Sequence, residues 1–519
     1  MGLSRRRFVA AVAAGGATVA LGAPRASAAR SPVLEPGNPE FAALRARGYN
    51  SRFAANPKKI FVPSTADEVC DAVADSVAEN LGSAVRSGGH CFEDFVDNDR
   101  TGSIIDLGRM RAVRWDEQHR AFSIEAGAEL NDVYTALTQG WGVTIPAGIC
   151  LGVGMGGHVP GGGYGPLSRG LGLVVDHLYG VEVVTVDANG AAETVVATKD
   201  GPNADLWWAH TGGGGGNFGV VTRFLFRSPG GDENDPRRAL PAVPSAMLQS
   251  RLVVPFLSED MFVRFLGNYL AFYEEHSRPG NRFAGLYAPM SFRTVGEGFA
   301  QMVILLDASG PGAEALFDEF VAAVSAGVTP GPMALRPTRA SYADTVARVY
   351  YPKGGSYPRV KVKSAYLRRA YSTDQLRVFY RHLIDPSVFG ETELEFLPFG
   401  GAVNATAPDA TAMPARTAFM KMLIHCAWRS SGDDDRHIAW TRDLYREVYA
   451  ATGGVPVPNE ANAGCYINYP DPDLADPRWN TSGVPWHELY YGANYARLRQ
   501  VKATWDPGDR FRHRLSIRA

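Results

Sequence analysis

The segment PAGICLGVGMGGHVPGGGYGPLSRG, Pro146–Gly170, sets one thiol, Cys150, at the edge of a run of glycines. A cysteine can be nucleophile, metal ligand or disulfide partner, and its neighbours decide which. No two of the five cysteines have CxxC spacing, which argues against a zinc site. Two further glycine clusters lie elsewhere: RSGGH (86–90), ending in the imidazole of His90, and TGGGGGNFG (211–219). Glycine permits positive φ and lets a ligand approach the backbone amides, which cradle phosphates. A GxGxxG pattern runs from Gly152 to Gly157, but a dinucleotide fingerprint needs a strand before it and an apolar helix after it. Here HVPGGGYGP follows, which cannot start a regular helix, and no cluster leads into GKS or GKT. One such cluster would read as a tight surface turn; three read as a ligand cradle.

These segments need elements to position them. PSTADEVCDAVADSVAENLG predicts a helix: Thr65 caps it, Glu68 completes a capping box, and Val69, Val73 and Val77 share one face. SAVRSGGH reads as a short strand running into a glycine turn, and GSIIDLGRM, AFSIEAGAEL and GVEVVTVDANG read as strands. VVTRFLFRSPGGDENDPRRALP ends a strand in a polar, Pro/Gly-rich link, where a domain boundary is expected. Beyond it, SEDMFVRFLGNYLAFYEEH and GAEALFDEFVAAVSAG predict amphipathic helices. RFAGLYAPMSF, AQMVILLDAS, ELEFLPFGGAV and AFMKMLIHCAW predict strands, hence a sheet with one face covered by helices. HELYYGANYARLRQVKATW predicts a helix stopped by DPGD.

The 519 residues suffice for two or more domains, and a net charge of −2 favours neither nucleic acid nor membrane as partner. SRRRFVA, a Gly/Ala-rich apolar stretch and ASA at 26–28 form an export signal, residues 1–28, resembling the bacterial twin-arginine type. A secreted or extracytoplasmic protein follows from it, with no membrane span after cleavage. If Cys150 has a chemical task, Cys70, Cys91, Cys426 and Cys465 remain, paired or free.

VRSGGH, PAGICLGVGMGGHVPGGGYGPLSRGLGLVVDHL, TGGGGGNFGVVT, CYINYPDPDL and YYGANYARLRQVKATWDPGDRF occur in an order that resembles the berberine-bridge-enzyme-like oxidases, flavoproteins of the vanillyl-alcohol-oxidase type. The resemblance runs from about residue 55 to the C-terminus and is weakest between 240 and 390. It implies an α+β fold: a two-part FAD-binding domain (31–228 and 456–519) with an inserted substrate domain (229–455). It implies FAD bonded through its 8α-methyl to His90 and through C6 to Cys150. It carries cofactor contacts over to Arg86, Ser87, Gly88, Gly89, Val153, Gly156, Gly157, His158, Gly162, Gly163, Tyr164, Gly216, Phe218, Gly219, Val220 and Asn494. His158 reads as structural or lining, since its motif already offers Cys150. Asp94 stands where many relatives carry glycine, which alters a nearby loop. Val153 resembles the small oxygen-gate residue of oxidases.

The implied chemistry is removal of a hydride from an alcohol carbon of a sugar or glycosylated natural product, with electrons returned to O2. Oxidative ring closure or desaturation would use the same cofactor. A carrier that has lost redox work would not need both His90 and Cys150, and a nicotinamide dehydrogenase lacks its fingerprint. The Tyr-x-Asn-Tyr of CYINYPDPDL supplies the candidate base, Tyr469, with Tyr466 in reserve; in a strand the two would face opposite sides. A phenol of ordinary pKa near 10 needs a partner, for which Glu395 is the candidate. Tyr164, Tyr366, Phe396, Tyr466 and Tyr469 suit the face of a sugar or polycyclic substrate, or pack the core.

Overall fold

The computed structural model describes residues 31–294, 300–354, 357–388 and 391–519; the expected export signal lies outside them. Three sheets organise the chain. In the first, Lys59–Phe61, Ser103–Asp106 and Ser83–Arg86 lie parallel in that order, with Val33–Leu34 antiparallel at the edge. Helix Ala66–Ala78 joins two of these strands and buries Val69, Ala72 and Val73. Its start follows the sequence with one change: Thr65 Oγ1 accepts from Glu68 N at 3.2 Å, while Glu68 reaches Ser64 N at 2.6 Å, one residue before the cap.

The second sheet is antiparallel, in the order Val113–Asp116, Ala121–Glu125, Val220–Phe226, Leu178–Val186, Ala192–Thr198. The glycine segment leading into it forms only single helical turns, Met155–His158 and Ser168–Leu171. The C-terminus closes on this part of the molecule. Buried Lys502 pairs with Asp506 at 2.5 Å and donates to the carbonyls of Asn217 (2.8 Å) and Phe511 (2.6 Å), which pins the end of the chain to the third glycine cluster.

The third sheet has nine strands. Its main path runs Met333–Ala334, Met247–Val254, Ala300–Asp307, Met290–Arg293, Glu393–Pro398, Met420–Trp428, Arg359–Leu367, all antiparallel. Helices Glu259–Glu275, Ala313–Ser325, Thr373–Leu383 and Asp434–Val448 pack against it or one another. Period-two alternation sorts the side chains. Phe396 meets Phe379 and Tyr371 on the helix side, whereas Glu393, Glu395, Leu397, Leu423 and His425 line a cavity on the other. Phe396 is therefore core and not a substrate face. Strand Arg359–Leu367 and helix Asp434–Val448 escaped the sequence reading because their buried positions include Lys361, Lys363 and His437, which weaken an apolar pattern. The expected helix from His487 to Trp505 is broken: Trp486–Tyr491 and Tyr495–Trp505 are separated at Gly492, whose φ of 50° ends the first.

Candidate active site

Three glycine clusters from distant parts of the chain meet at one cavity of about 830 Å³. Gly88 and Gly154 are in backbone contact: a Cβ on either would collide with the other's amide. Ser87 Oγ fixes this junction by donating to Ala126 O at 2.6 Å and accepting from Gly156 N at 3.3 Å. Gly214 N donates to Pro160 O at 2.9 Å and brings in the third cluster. A Cβ at Gly157 would meet nothing within 4 Å, so this wall of the cavity is open backbone.

His90 and Cys150 both line this cavity. The His90 ring stacks on Tyr49, with centroids 4.9 Å apart, and its buried Nε2 has no hydrogen-bond partner among the described residues. Burial and the charge of Lys353 push His90 down to about 4, so its imidazole is neutral at pH 7. Burial, with Glu395, pushes Cys150 up to about 12, so its thiol keeps its proton until a base removes it. None of the five cysteines is in a disulfide.

The tyrosines are arranged differently from a strand. Tyr469 N donates to Tyr466 O at 2.9 Å, which closes a tight turn and sets the two rings 5.0 Å apart in an edge contact. Both therefore line the cavity. Tyr466 is held by its hydroxyl, which donates to Gly162 O at 3.2 Å and accepts from Asn468 Nδ2 at 3.0 Å. The Tyr469 hydroxyl instead meets the Tyr164 hydroxyl at 2.9 Å. Burial raises the Tyr469 and Tyr164 phenols well above their ordinary value.

Beneath this pair lies Lys421, which the sequence reading missed. Its side chain is fully buried and its Nζ has no hydrogen-bond partner among the described residues. Nζ stands 3.0 Å from the Tyr164 ring centroid, 3.7 Å from Tyr466, 5.0 Å from Tyr366 and 5.4 Å from Tyr469 and Phe399. Burial pushes the ammonium well below the ordinary lysine range, and the aromatic faces work against that push. The available signal was a single lysine inside the apolar run AFMKMLIHCAW.

Glu395 lines the same cavity as Tyr469, and its charge helps to raise that phenol. Burial and its neighbour Glu393, to which it is hydrogen-bonded, raise its carboxyl well above the usual range. The hydroxyl partner of Tyr469 is thus Tyr164, because the Glu393–Pro398 strand engages Glu395 with Glu393. Arg86, Ser87, Gly88, Gly89, Val153, Gly156, Gly157, His158, Tyr164, Gly216 and Gly219 line the cavity. Within that set Arg86 is committed to Asp97 at 2.5 Å, and His158 Nε2 accepts from Gly148 N at 3.2 Å. Gly162, Gly163, Phe218, Val220 and Asn494 stand outside the lining. Phe218 and Val220 are core, Gly163 packs on the His158 ring and Gly162 against Met413. Asn494 spends its amide on the carbonyls of Pro408, Thr411 and Ala412.

Residues 57–195 match the FAD binding domain model, and residues 465–518 match the "Berberine and berberine like" model. The aclacinomycin-N/aclacinomycin-A oxidase of Streptomyces galilaeus is 45% identical over 99% of this chain and 98% of its own. This chain belongs to the berberine-bridge-like FAD-linked oxidases. Hexose oxidase of Chondrus crispus is 30% identical over 91% of this chain and 92% of its own. The solved structure of a glycopeptide hexose oxidase complexed with teicoplanin superposes with a TM-score of 0.91 at 44% identity, covering 95% of this chain and 99% of that one. The α+β architecture and the family expected from the glycine, cysteine and tyrosine motifs are borne out. The chain is an FAD-linked oxidoreductase, and its cavity suits the cofactor: a bare backbone wall, a neutral imidazole with a free nitrogen and a thiol converge on it.

Proposed function

We propose that this oxidoreductase oxidises an alcohol carbon of a sugar or glycosylated natural product and passes the electrons to O2, yielding H2O2. The observation that carries the reading is the Tyr469–Tyr164 hydroxyl pair, 2.9 Å apart over Lys421, in the same cavity as His90 and Cys150. FAD, when bound, supplies the hydride acceptor. The chain's own task is to hold FAD and the substrate and to take the hydroxyl proton. His90 and Cys150 hold FAD covalently in this reading. Neutral His90 is ready to attach, whereas Cys150 must first lose its proton. A phenolate shared by Tyr469 and Tyr164 through their hydrogen bond, held by the Lys421 ammonium below, takes the proton of the substrate hydroxyl at Tyr469 and becomes neutral. Tyr466 is occupied by Gly162 and Asn468 and orients the turn. Val153, at the cavity wall beside Cys150, leaves space for O2. The substrate class follows from relatives named for aclacinomycin, hexose and glycopeptide hexose oxidation. The resemblance of residues 1–28 to a twin-arginine export signal supports a reaction outside the cytoplasm.

A peroxide screen across free sugars and glycosylated natural products tests the assignment. A substrate should bleach the visible absorbance under nitrogen, and air should restore it with one H2O2 per turnover. Bleaching that air does not reverse, or peroxide with no oxidised alcohol, would sink it.

A further inference from the structure

The motif that carries Tyr469 continues as Pro470-Asp471-Pro472-Asp473, and the cavity chemistry leaves these acids without a task. Both are buried, and both are gripped by the edge strand of the nine-stranded sheet. Lys363 Nζ donates to Asp471 at 2.6 Å and to Asp473 at 3.0 Å. Arg442, on helix Asp434–Val448, forks onto Asp473 at 2.7 and 3.0 Å. Lys361 Nζ donates to Asp471 at 2.7 Å and to Glu93 at 3.1 Å. Glu93 lies three residues after His90, and Asp471 two residues after Tyr469. Three acids meet three bases, so the network is electrically balanced. Lys361, Lys363, Glu93 and Asp471 are each no more than 4% exposed.

Burying five of these six charges is a costly way to hold two segments together, since apolar residues of similar volume give equal or greater stability. What the ions add is fixed geometry: Asp471 accepts from both lysines, Asp473 from Lys363 and Arg442, and Glu93 from Lys361, so neither loop can slide without breaking a bond. We propose that this network is a positioning device in which Lys361 bridges the His90 loop to the Tyr469 turn and sets the tyrosine hydroxyl relative to the point where FAD is anchored. The inference rests on the roles assigned above to His90 and Tyr469. Lys361 is not among the residues that line the cavity and acts through the loops it joins. A displacement of about 1 Å in such a site costs about 10²-fold in rate, and that is the effect expected of its loss.

The test uses the flavinated full-length enzyme and three variants: Lys361→Met, the charge-balanced Lys361→Met/Glu93→Gln, and Glu93→Leu. Wild-type controls for acid-stable yellow colour and anaerobic bleaching check the underlying reading separately. In Lys361→Met and the double variant the limiting rate of bleaching per bound flavin should fall about 10²-fold, with substrate Kd within about threefold. The visible circular dichroism of the flavin should change with it. Charge balance should return the Tm of the double variant toward wild type without restoring the rate, a split that a merely structural role would not produce. If Lys361→Met does not fold, the double variant decides, and Glu93→Leu, which removes the acceptor of Lys361 and should slow bleaching to the same extent, decides if neither does. A folded, flavinated variant that lacks the bridge yet bleaches within threefold of the wild-type rate with an unchanged dichroism spectrum overturns the proposal.

Discussion

Lys421→Met isolates the electrostatic part of the base. Methionine keeps the volume and removes the charge. Nζ stands 3.0 Å from the Tyr164 ring centroid. At an effective dielectric constant of about 20, unit charges about 4 Å apart interact by about 4 kcal/mol. That corresponds to about 3 pKa units on a phenolate shared by Tyr164 and Tyr469. Burial raises both phenols, so without the ammonium the base forms only at high pH. Anaerobic stopped-flow bleaching of Lys421→Met at pH 7 should be about 10²–10³-fold slower, and the rate should climb with pH beyond the wild-type plateau. Stability should move the other way, because a buried amine without a hydrogen-bond partner is removed. A variant that bleaches within about fivefold of wild type, with the wild-type pH profile, would refute the electrostatic role.

Four further outcomes are expected. Tyr469→Phe should cost roughly 10²–10⁴-fold in bleaching rate with flavin content intact, since general-base catalysis has that range; near-wild-type bleaching would transfer the role to Tyr164. Acid-precipitated wild-type protein should stay yellow, as should His90→Ala and Cys150→Ala singly, while the double variant should release its flavin to the supernatant; colourless wild-type pellets would exclude covalent attachment. Val153→Leu should slow reoxidation by air and leave bleaching by substrate unchanged; equal reoxidation traces would remove Val153 from the oxygen path. Against the upward push of burial, Lys363, Lys361 and Arg442 hold Asp473 well below the carboxylate range. Its contribution to stability is therefore complete above the unfolded value near pH 4 and is lost as pH falls below it. Asp473→Asn should be less stable at pH 7 yet lose less on acidification below about pH 4, and parallel stability curves for the two proteins would contradict the assigned ion pairs.

The sequence determined the local features whose physical cause is local. A threonine cap and a 3.6-residue apolar period suffice for Ala66–Ala78, and β-branched runs suffice for Ser103–Asp106 and Leu178–Val186. Glycines beside His90 and Cys150 marked a cradle, because bare backbone is needed wherever a ligand lies against amides. The tertiary structure decided what depends on contacts between distant residues. Whether Tyr466 and Tyr469 oppose or adjoin is set by one backbone hydrogen bond in a turn. Tyr164 and Tyr469 are 305 residues apart in sequence and meet only where the glycine segment and the C-terminal part close on one cavity. Lys421 is a polar interruption in an apolar strand until pairing places it opposite Tyr366 and Leu397, with its amine among four phenol rings. Glu395 falls on the correct face by period two, yet a neighbour two residues away takes up its carboxyl. Periodicity fixes which face a side chain occupies; the partner it finds there depends on how the sheets close around the cavity, which no local pattern encodes.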